Sequence, residues 1–246
     1  MKTYTLTLRA QTPVCLGLSD SGQNHISTER IISGQTLRGA FAALWWRNEA
    51  ARHADPGGHF SRLFDANLYV SQAVPTAGIE GTTPRLNPTT LRTCKYRQGA
   101  ECADYRDDLA ERELDGGRAA SACPHCNGPL SASPGWAGLP VPVPRTRAAL
   151  DGNEIPIESK LFTKEYLPKG TTFVGAIRAP ERPDWLDGAM IRVGASKSTG
   201  PGKLAVTIGE DVSVQPWLPG TRHLLVAMSP VILTDRFGGP ALSREA

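Results

Sequence analysis

The sequence predicts an α+β fold, a ferredoxin-like β-α-β-β-α-β domain interrupted by a long insertion. Three observations carry that reading. The first ten residues alternate apolar and polar with a period of two, and an apolar stripe at helical spacing follows at residues 37–45. Regular strand patterns then return only at Lys160, after a stretch rich in Pro, Gly and Arg that holds four of the five Cys. Strand, helix, hairpin, short helix and strand is the ferredoxin-like order, whose four-stranded antiparallel sheet is also the platform of RNA-recognition (RRM-like) domains.

In chain order, Tyr4, Leu6, Leu8 and Ala10 fall on one face of the opening strand, and Thr3, Thr5, Thr7 and Arg9 on the other. Pro13 ends or edges it. Residues 17–33 are polar and glycine-containing, hence a loop. Leu37, Ala40, Phe41, Leu44 and Trp45 then mark one helix face, with Ser33, Gly34 or Thr36 as its cap, and Asp55-Pro56-Gly57-Gly58 as its stop. Trp45 and Trp46 are both read as core and helix-packing residues. Residues 65–150 form the insertion. Lys160–Tyr166 and Thr171–Ile177 flank a Pro168-Lys169-Gly170 turn and are expected to pair as a hairpin. Pro183–Gly188 is a short helical segment. Ile191–Gly194 and Lys203–Ile208 read as strands joined by a glycine-rich loop.

The end of the chain repeats its beginning. Leu225-Val226-Ala227-Met228-Ser229-Pro230-Val231-Ile232-Leu233 aligns with Leu8-Arg9-Ala10-Gln11-Thr12-Pro13-Val14-Cys15-Leu16, with Leu225, Ala227, Pro230, Val231 and Leu233 identical to their partners. The domain plan is therefore 1–64 with 151–212 as one domain, 65–150 as the insertion, and 222–246 as the first strand of a second, truncated repeat. The chain is expected to be a fragment, or its other half a separate subunit.

Composition bounds the function. The chain has 246 residues and a formal charge of +3, which permits an anionic partner without demanding one. No apolar run is long enough to cross a membrane, and the N-terminus lacks the apolar core of a secretory signal, so a cytoplasmic protein is the default. Five Cys is an odd number and too few for a disulfide scaffold; clustered Cys in a reducing compartment points to metal.

Cys94, Cys102, Cys123 and Cys126 are spaced C-x7-C-x20-C-x2-C. Cys123-Pro124-His125-Cys126 is a knuckle that holds two thiolates on one turn, within about 2.3 Å of a shared zinc ion. Four thiolates fill a tetrahedral site and leave no open position, so the zinc is structural. The competing reading completes the knuckle with His125 and leaves Cys94 and Cys102 free. Cys15 reads as a plain buried thiol.

Two backbone features suit phosphate. In the loop from Gly194 to Lys203, glycines at 194, 200 and 202 let amides approach an anion, Ser198 donates a hydrogen bond, and Lys197 and Lys203 supply charge. The plainer reading is an ordinary loop with solvated lysines. At the helix start, Gly34, Gln35 and Thr36 present amides and Arg38 reaches the same side; capping and packing explain this equally. Asp20 and His25 lie in the preceding loop. Asp20 is a candidate for metal-assisted RNA cleavage and His25 for a general base, against the plain reading of a solvated loop.

Ser33-Gly34-Gln35-Thr36-Leu37-Arg38-Gly39 together with Gly194–Gly202 resembles the signature of the RAMP superfamily of CRISPR RNA-binding proteins. The interposed Cys insertion is similar to that of the zinc-containing RAMP subunit of type III-D effector complexes. The helix start departs mildly from the family's Pro-Gly-Ser. The resemblance spans residues 1–240. It implies a non-catalytic structural subunit of an antiviral ribonucleoprotein, holding CRISPR RNA by its backbone near the repeat-derived 5′ tag. Implied partners are the CRISPR RNA, target RNA, other RAMP subunits and the large subunit, with no membrane. Two other readings stand beside it. One is a RAMP endoribonuclease cutting target RNA through Asp20 or guide precursor through His25. The other is a zinc-stabilised protein-interaction module without RNA contact.

Overall fold

The computed structural model describes residues 1–17, 25–77, 84–86, 91–96, 102, 106–107, 122–132, 135–150, 156–194 and 200–211. Asp20, Lys197, Ser198 and the repeat at 222–246 lie outside these residues. The chain divides into two units, the first joining Met1–Pro84 to Gly138–Pro216, the second containing Arg85–Ala137. The first unit opens with β1 (Lys2–Ala10), β2 (His25–Ile26), α1 (Gly34–Asn48), α2 (Pro56–Ser61), β3 (Tyr69–Val70) and β4 (Val74–Pro75). The second carries β5 (Arg85–Leu86), β6 (Leu91–Cys94), β7 (Arg106–Asp107), β8 (Leu130–Ala132) and β9 (Trp136–Ala137). The first then resumes with β10 (Val143–Leu150), β11 (Pro156–Tyr166), β12 (Thr172–Ala179), β13 (Met190–Arg192) and β14 (Lys203–Asp211).

The first unit is mixed α+β around an antiparallel sheet ordered β13-β14-β1-β12-β3, with β4 also on β12. That order is compatible with a ferredoxin-like arrangement. β1 is central because its alternation supplies a wholly apolar face: Tyr4, Leu6, Leu8 and Ala10 are all buried. Leu204, Val206 and Ile208 continue that face on β14, and Phe173 and Ile177 on β12. Each such fully buried large side chain contributes roughly 1.5–3 kcal/mol. Helix α1 covers the face with Leu37, Phe41, Leu44 and Trp45. Ser33 caps it, its Oγ accepting the Thr36 N–H at 3.1 Å, an arrangement worth about 1 kcal/mol.

Trp46 departs from expectation. It is 49% exposed, because one step along a helix turns a side chain about 100° away from Trp45. It stacks on Phe60 instead, with ring centroids 5.3 Å apart. The Asp-Pro pair after α1 is a start as well as a stop: Asp55 Oδ1 accepts the Gly58 N–H at 2.9 Å and Pro56 opens α2. A π-helical turn, Arg62–Asn67, follows. The expected second helix is a single 3-10 turn, Asp184–Leu186. No helix among the described residues is long and apolar enough to cross a membrane.

The expected hairpin between Lys160–Tyr166 and Thr171–Ile177 is not formed. β11 pairs with β10 and β2, and β12 with β1, β3 and β4. The reason lies in β1. Its register with β12 runs from Lys2↔Ala179 to Arg9↔Thr172. Extended past Ala10, the same register reaches the bridge Val14↔Leu167, whose N–H and C=O groups exchange bonds of 2.9 and 2.8 Å. Residues 167–179 therefore run along residues 2–14 as one interrupted ladder. At the interruption Pro13 falls opposite Pro168, and neither has an N–H to give. Gly170 N–H donates instead to Ala10 O at 2.8 Å. The turn residues make a local opening in a ladder, not a reversal.

β10 and β11 form their own antiparallel ribbon, with β2 added parallel to β11. So β3, β4 and β10, assigned from sequence to the insertion, belong to the first unit. In the second unit β7-β6-β8 make a small antiparallel sheet and β5 pairs with β9.

The segment after β12 is clamped to β14. Arg182 donates to Asp184, to Asp187 Oδ2 at 2.6 Å and to Ile208 O at 2.7 Å, while Asp187 Oδ1 accepts the Ile208 N–H at 3.0 Å. The Ile208 amide, then Arg182, hold the Asp187 carboxyl below its ordinary range. A depressed carboxylate pKa stabilises the fold above the ordinary pKa, and that contribution disappears as pH falls through the depressed value. Asp187→Asn is expected to lower Tm at neutral pH. The gap from the parent should close as the pH of a thermal melt series drops below the usual carboxylate range; a pH-independent gap would contradict this account.

Candidate nucleic-acid interface and metal centre

The glycine-rich loop docks on the end of β1. Gly202 N–H donates to Pro13 O at 2.8 Å, and Lys203 N–H to Thr12 Oγ1 at 2.9 Å. Gly194 (φ 82°) approaches so closely that a Cβ would lie 2.0 Å from Cys15 O, and at Gly202 (φ 83°) one would lie 2.1 Å from Val193 O. Both positions demand glycine twice over, for backbone conformation and for space.

This docking sets Gly200, Pro201 and Lys203 against the β10–β11 ribbon. With Thr12, Pro13, Arg145, Arg147 and Tyr166 they enclose a pocket of about 290 Å³. Strand alternation explains its charge. Val143, Arg145 and Arg147 share one face of β10, opposite Tyr166, Lys164 and Phe162 on β11. Arg145 lies 5.6 Å from the Tyr166 ring centroid, and Lys164 lies 5.7 Å from that of Phe162; such contacts are worth about 0.5–2 kcal/mol and orient each cation. Arg145 and Lys164 are direct cross-strand partners, and like charges so placed destabilise a sheet. The neighbouring carboxylate is turned away from Arg145. Glu165 projects from the other face, 3.4 Å from His25 Nε2, and accepts the Thr28 N–H at 3.2 Å. Among the described residues no carboxylate lies within ion-pair distance of Arg147 or Lys203. A basic, aromatic-backed face of this kind attracts a polyanion.

The helix start lies elsewhere. Gly34 packs on the β3 edge, where an added Cβ would meet Val70 O at 2.4 Å, three strands from β14. Gln35 and Thr36 are exposed there. Arg38 is engaged with Phe64 O at 2.6 Å and with Asp65 at 3.1 Å. The structure thus brings Gly200 and Lys203 into the basic pocket and leaves Gly34, Gln35, Thr36 and Arg38 out of its lining. Gly194 and Gly202 shape the loop. Arg145 and Arg147 escaped the sequence reading; their signal was the period-two run Val143-Pro144-Arg145-Thr146-Arg147.

In the second unit the Sγ atoms of Cys94, Cys102, Cys123 and Cys126 all lie within 4.8 Å of one another. Cys94 and Cys126 are 3.3 Å apart, Cys102 and Cys123 3.9 Å. A tetrahedron of sulfurs about 2.3 Å from one ion has edges of about 3.8 Å, so the donor set fits a thiolate-bound metal. Cys94 ends β6, opposite Leu130. The knuckle closes through Asn127 N–H to Cys123 O and Cys123 N–H to Gly128 O, both 2.8 Å. Cys15 is fully buried in the first unit. The amides of Cys126 and His125 draw the Cys123 thiol down to about 7. The Gly128 amide also pulls on Cys126, but the Cys94 sulfur, burial, Cys102 and Cys123 outweigh it and push that thiol up to about 12. Four sulfurs this close resist joint ionisation without a cation between them.

No protein-family model and no curated protein matches this chain. It resembles in part a chain of the type III-B Cmr-beta complex bound to cognate target RNA, at 10% identity and a TM-score of 0.49, over 85% of this chain and 97% of that one. Oligomeric Cmr4 from Pyrococcus furiosus gives 14% identity and 0.40 over 87% and 100%. A chain of a type IV-B CRISPR complex gives 14% and 0.43 over 89% and 95%.

Gly194→Ala is expected to destabilise the protein by at least about 1–3 kcal/mol in denaturant unfolding, because the added Cβ meets the Cys15 carbonyl. Gly200→Ala, at φ 105° with nothing within 4 Å of its Cβ, should cost less.

Proposed function

We propose that this chain is a non-catalytic, RAMP-type subunit that holds CRISPR RNA in a type III-D-like effector complex. The observation that carries the proposal is the pocket joining Arg145, Arg147 and Tyr166 to Gly200 and Lys203. The RNA strand runs along the ribbon face and past the glycine-rich loop, with phosphates on Arg145, Arg147 and Lys203. Such contacts position a strand without reading its bases. The signature resemblance adds the rest: the 5′ tag as the segment held, target RNA as the second strand, and other RAMP subunits with the large subunit as neighbours. A structural zinc on the four cysteines holds the insertion together, supplying folding free energy that the insertion's polar sequence lacks.

A ribonuclease reading draws on one observation, the carboxylate of Glu165 beside the His25 imidazole, a pairing that orients a base. His25→Ala separates the two. Undiminished RNA retention with no change in any cleavage product supports the holding role; loss of a cleavage product supports the nuclease.

Arg145→Glu with Arg147→Glu is expected to reduce copurified RNA at least about tenfold. It should also flatten the salt dependence of binding, by about 0.7 in log–log slope for each phosphate that the protein ceases to neutralise. Zinc content should stay at one per chain. Unchanged retention would overturn the proposed path. Cys94→Ser, measured by metal analysis, should abolish stoichiometric zinc.

A further inference from the structure

A second cleft lies at the other end of β12. The basic pocket sits beside the Thr172 end of that strand; this cleft, of about 450 Å³, sits beside Ala179, on the order of 20 Å further along. One wall is the end of α2 and the π-helical turn, the other the segment from Pro180 to Trp185. The size is that of a small-molecule site. We propose that it binds a mononucleotide.

The walls are preformed. His59 stacks on His53 with centroids 3.9 Å apart and lies parallel to Trp45 at 5.6 Å. Trp185 meets Phe64 edge-on at 6.3 Å. The Arg182 clamp to Asp187 and Ile208 O fixes the opposite wall.

The lining chemistry selects the ligand. Buried Leu68 and Ala179 form an apolar floor between two aromatic side chains, His59 and Trp185. A planar ring system suits that floor. Arg62 is exposed and has no ion-pair partner among the described residues, so it offers a guanidinium to an anion. Glu181 is likewise exposed and unpaired among those residues, an acceptor for sugar hydroxyls. Asn67 is oriented by its own bond: Nδ2 donates to Arg62 O at 2.8 Å, which leaves Oδ1 as an acceptor for an exocyclic amino group. An apolar side chain from a partner protein would fill the floor but would cover a cation and a carboxylate without pairing either, at a desolvation cost. A base, a diol and a phosphate use all three polar groups.

Calorimetric titration of the full chain with AMP, GMP, CMP and UMP tests this. Saturable binding is expected, strongest for the amino-bearing purines. Arg62→Ala should weaken AMP about tenfold and bring it level with adenosine, which lacks the phosphate. Glu181→Gln should reduce the preference for AMP over its 2′,3′-dideoxy analogue. The pair Arg145→Glu and Arg147→Glu should leave AMP binding unchanged, so failure here is separable from failure of the RNA path. No saturable binding up to about 10 mM of any of the four would overturn the proposal, as would AMP affinity indifferent to Arg62→Ala or lost with the Arg145 and Arg147 changes.

Discussion

The extended register between residues 2–14 and 167–179 is the constraint on which the first unit depends. Ala10 to Val14 is where the ladder opens, at two facing prolines without donors, and closes again at Val14 and Leu167. The opening lets β11 leave the main sheet for β10 while β12 stays in it. It also frees the Thr12 hydroxyl and the Pro13 carbonyl to receive the loop before β14. Without that break β11 would have no route to β10, and the basic ribbon face would not stand opposite Lys203.

Charge placement follows from that geometry. A strand separates its side chains onto two faces, so Glu165 is kept on the back of the ribbon with His25 and Thr28 while Arg145, Arg147 and Lys164 share the front. Stability alone disfavours the Arg145–Lys164 pair. Aromatic rings beneath both cations offset part of the cost. The second unit solves a different problem. Its described strands run two to four residues, each short for building a core, and the buried cluster among the described residues is made of cysteines. The four sulfurs are spaced so that one metal ion bound among them would cross-link the segment where an apolar core is small.

Local chemistry made much of this legible. Period two exposes the buried face of β1, helical spacing exposes that of α1, Ser33 announces the cap, and ligand spacing collects the cysteines before any fold is known. These features depend on neighbours a few residues apart, or on side chains whose chemistry has few other uses. Three features were not legible. Pro168-Lys169-Gly170 has the same composition whether it reverses a chain or opens a ladder. Arg38 follows a glycine-marked helix start, yet its partner Asp65 lies on a π-helical turn with no sequence signature. Arg145 and Arg147 lie in a stretch whose Pro and Arg content resembles a loop.

By itself, then, the order of residues determined which faces are apolar, where helices begin and which thiols belong together, because those follow from short-range periodicity and from donor chemistry. Tertiary structure decided which strands are neighbours and which cations share a pocket with the glycine-rich loop. Those outcomes are settled by pairing between segments more than a hundred residues apart, where a missing amide at Pro13 or Pro168 outweighs any preference of the turn beside it.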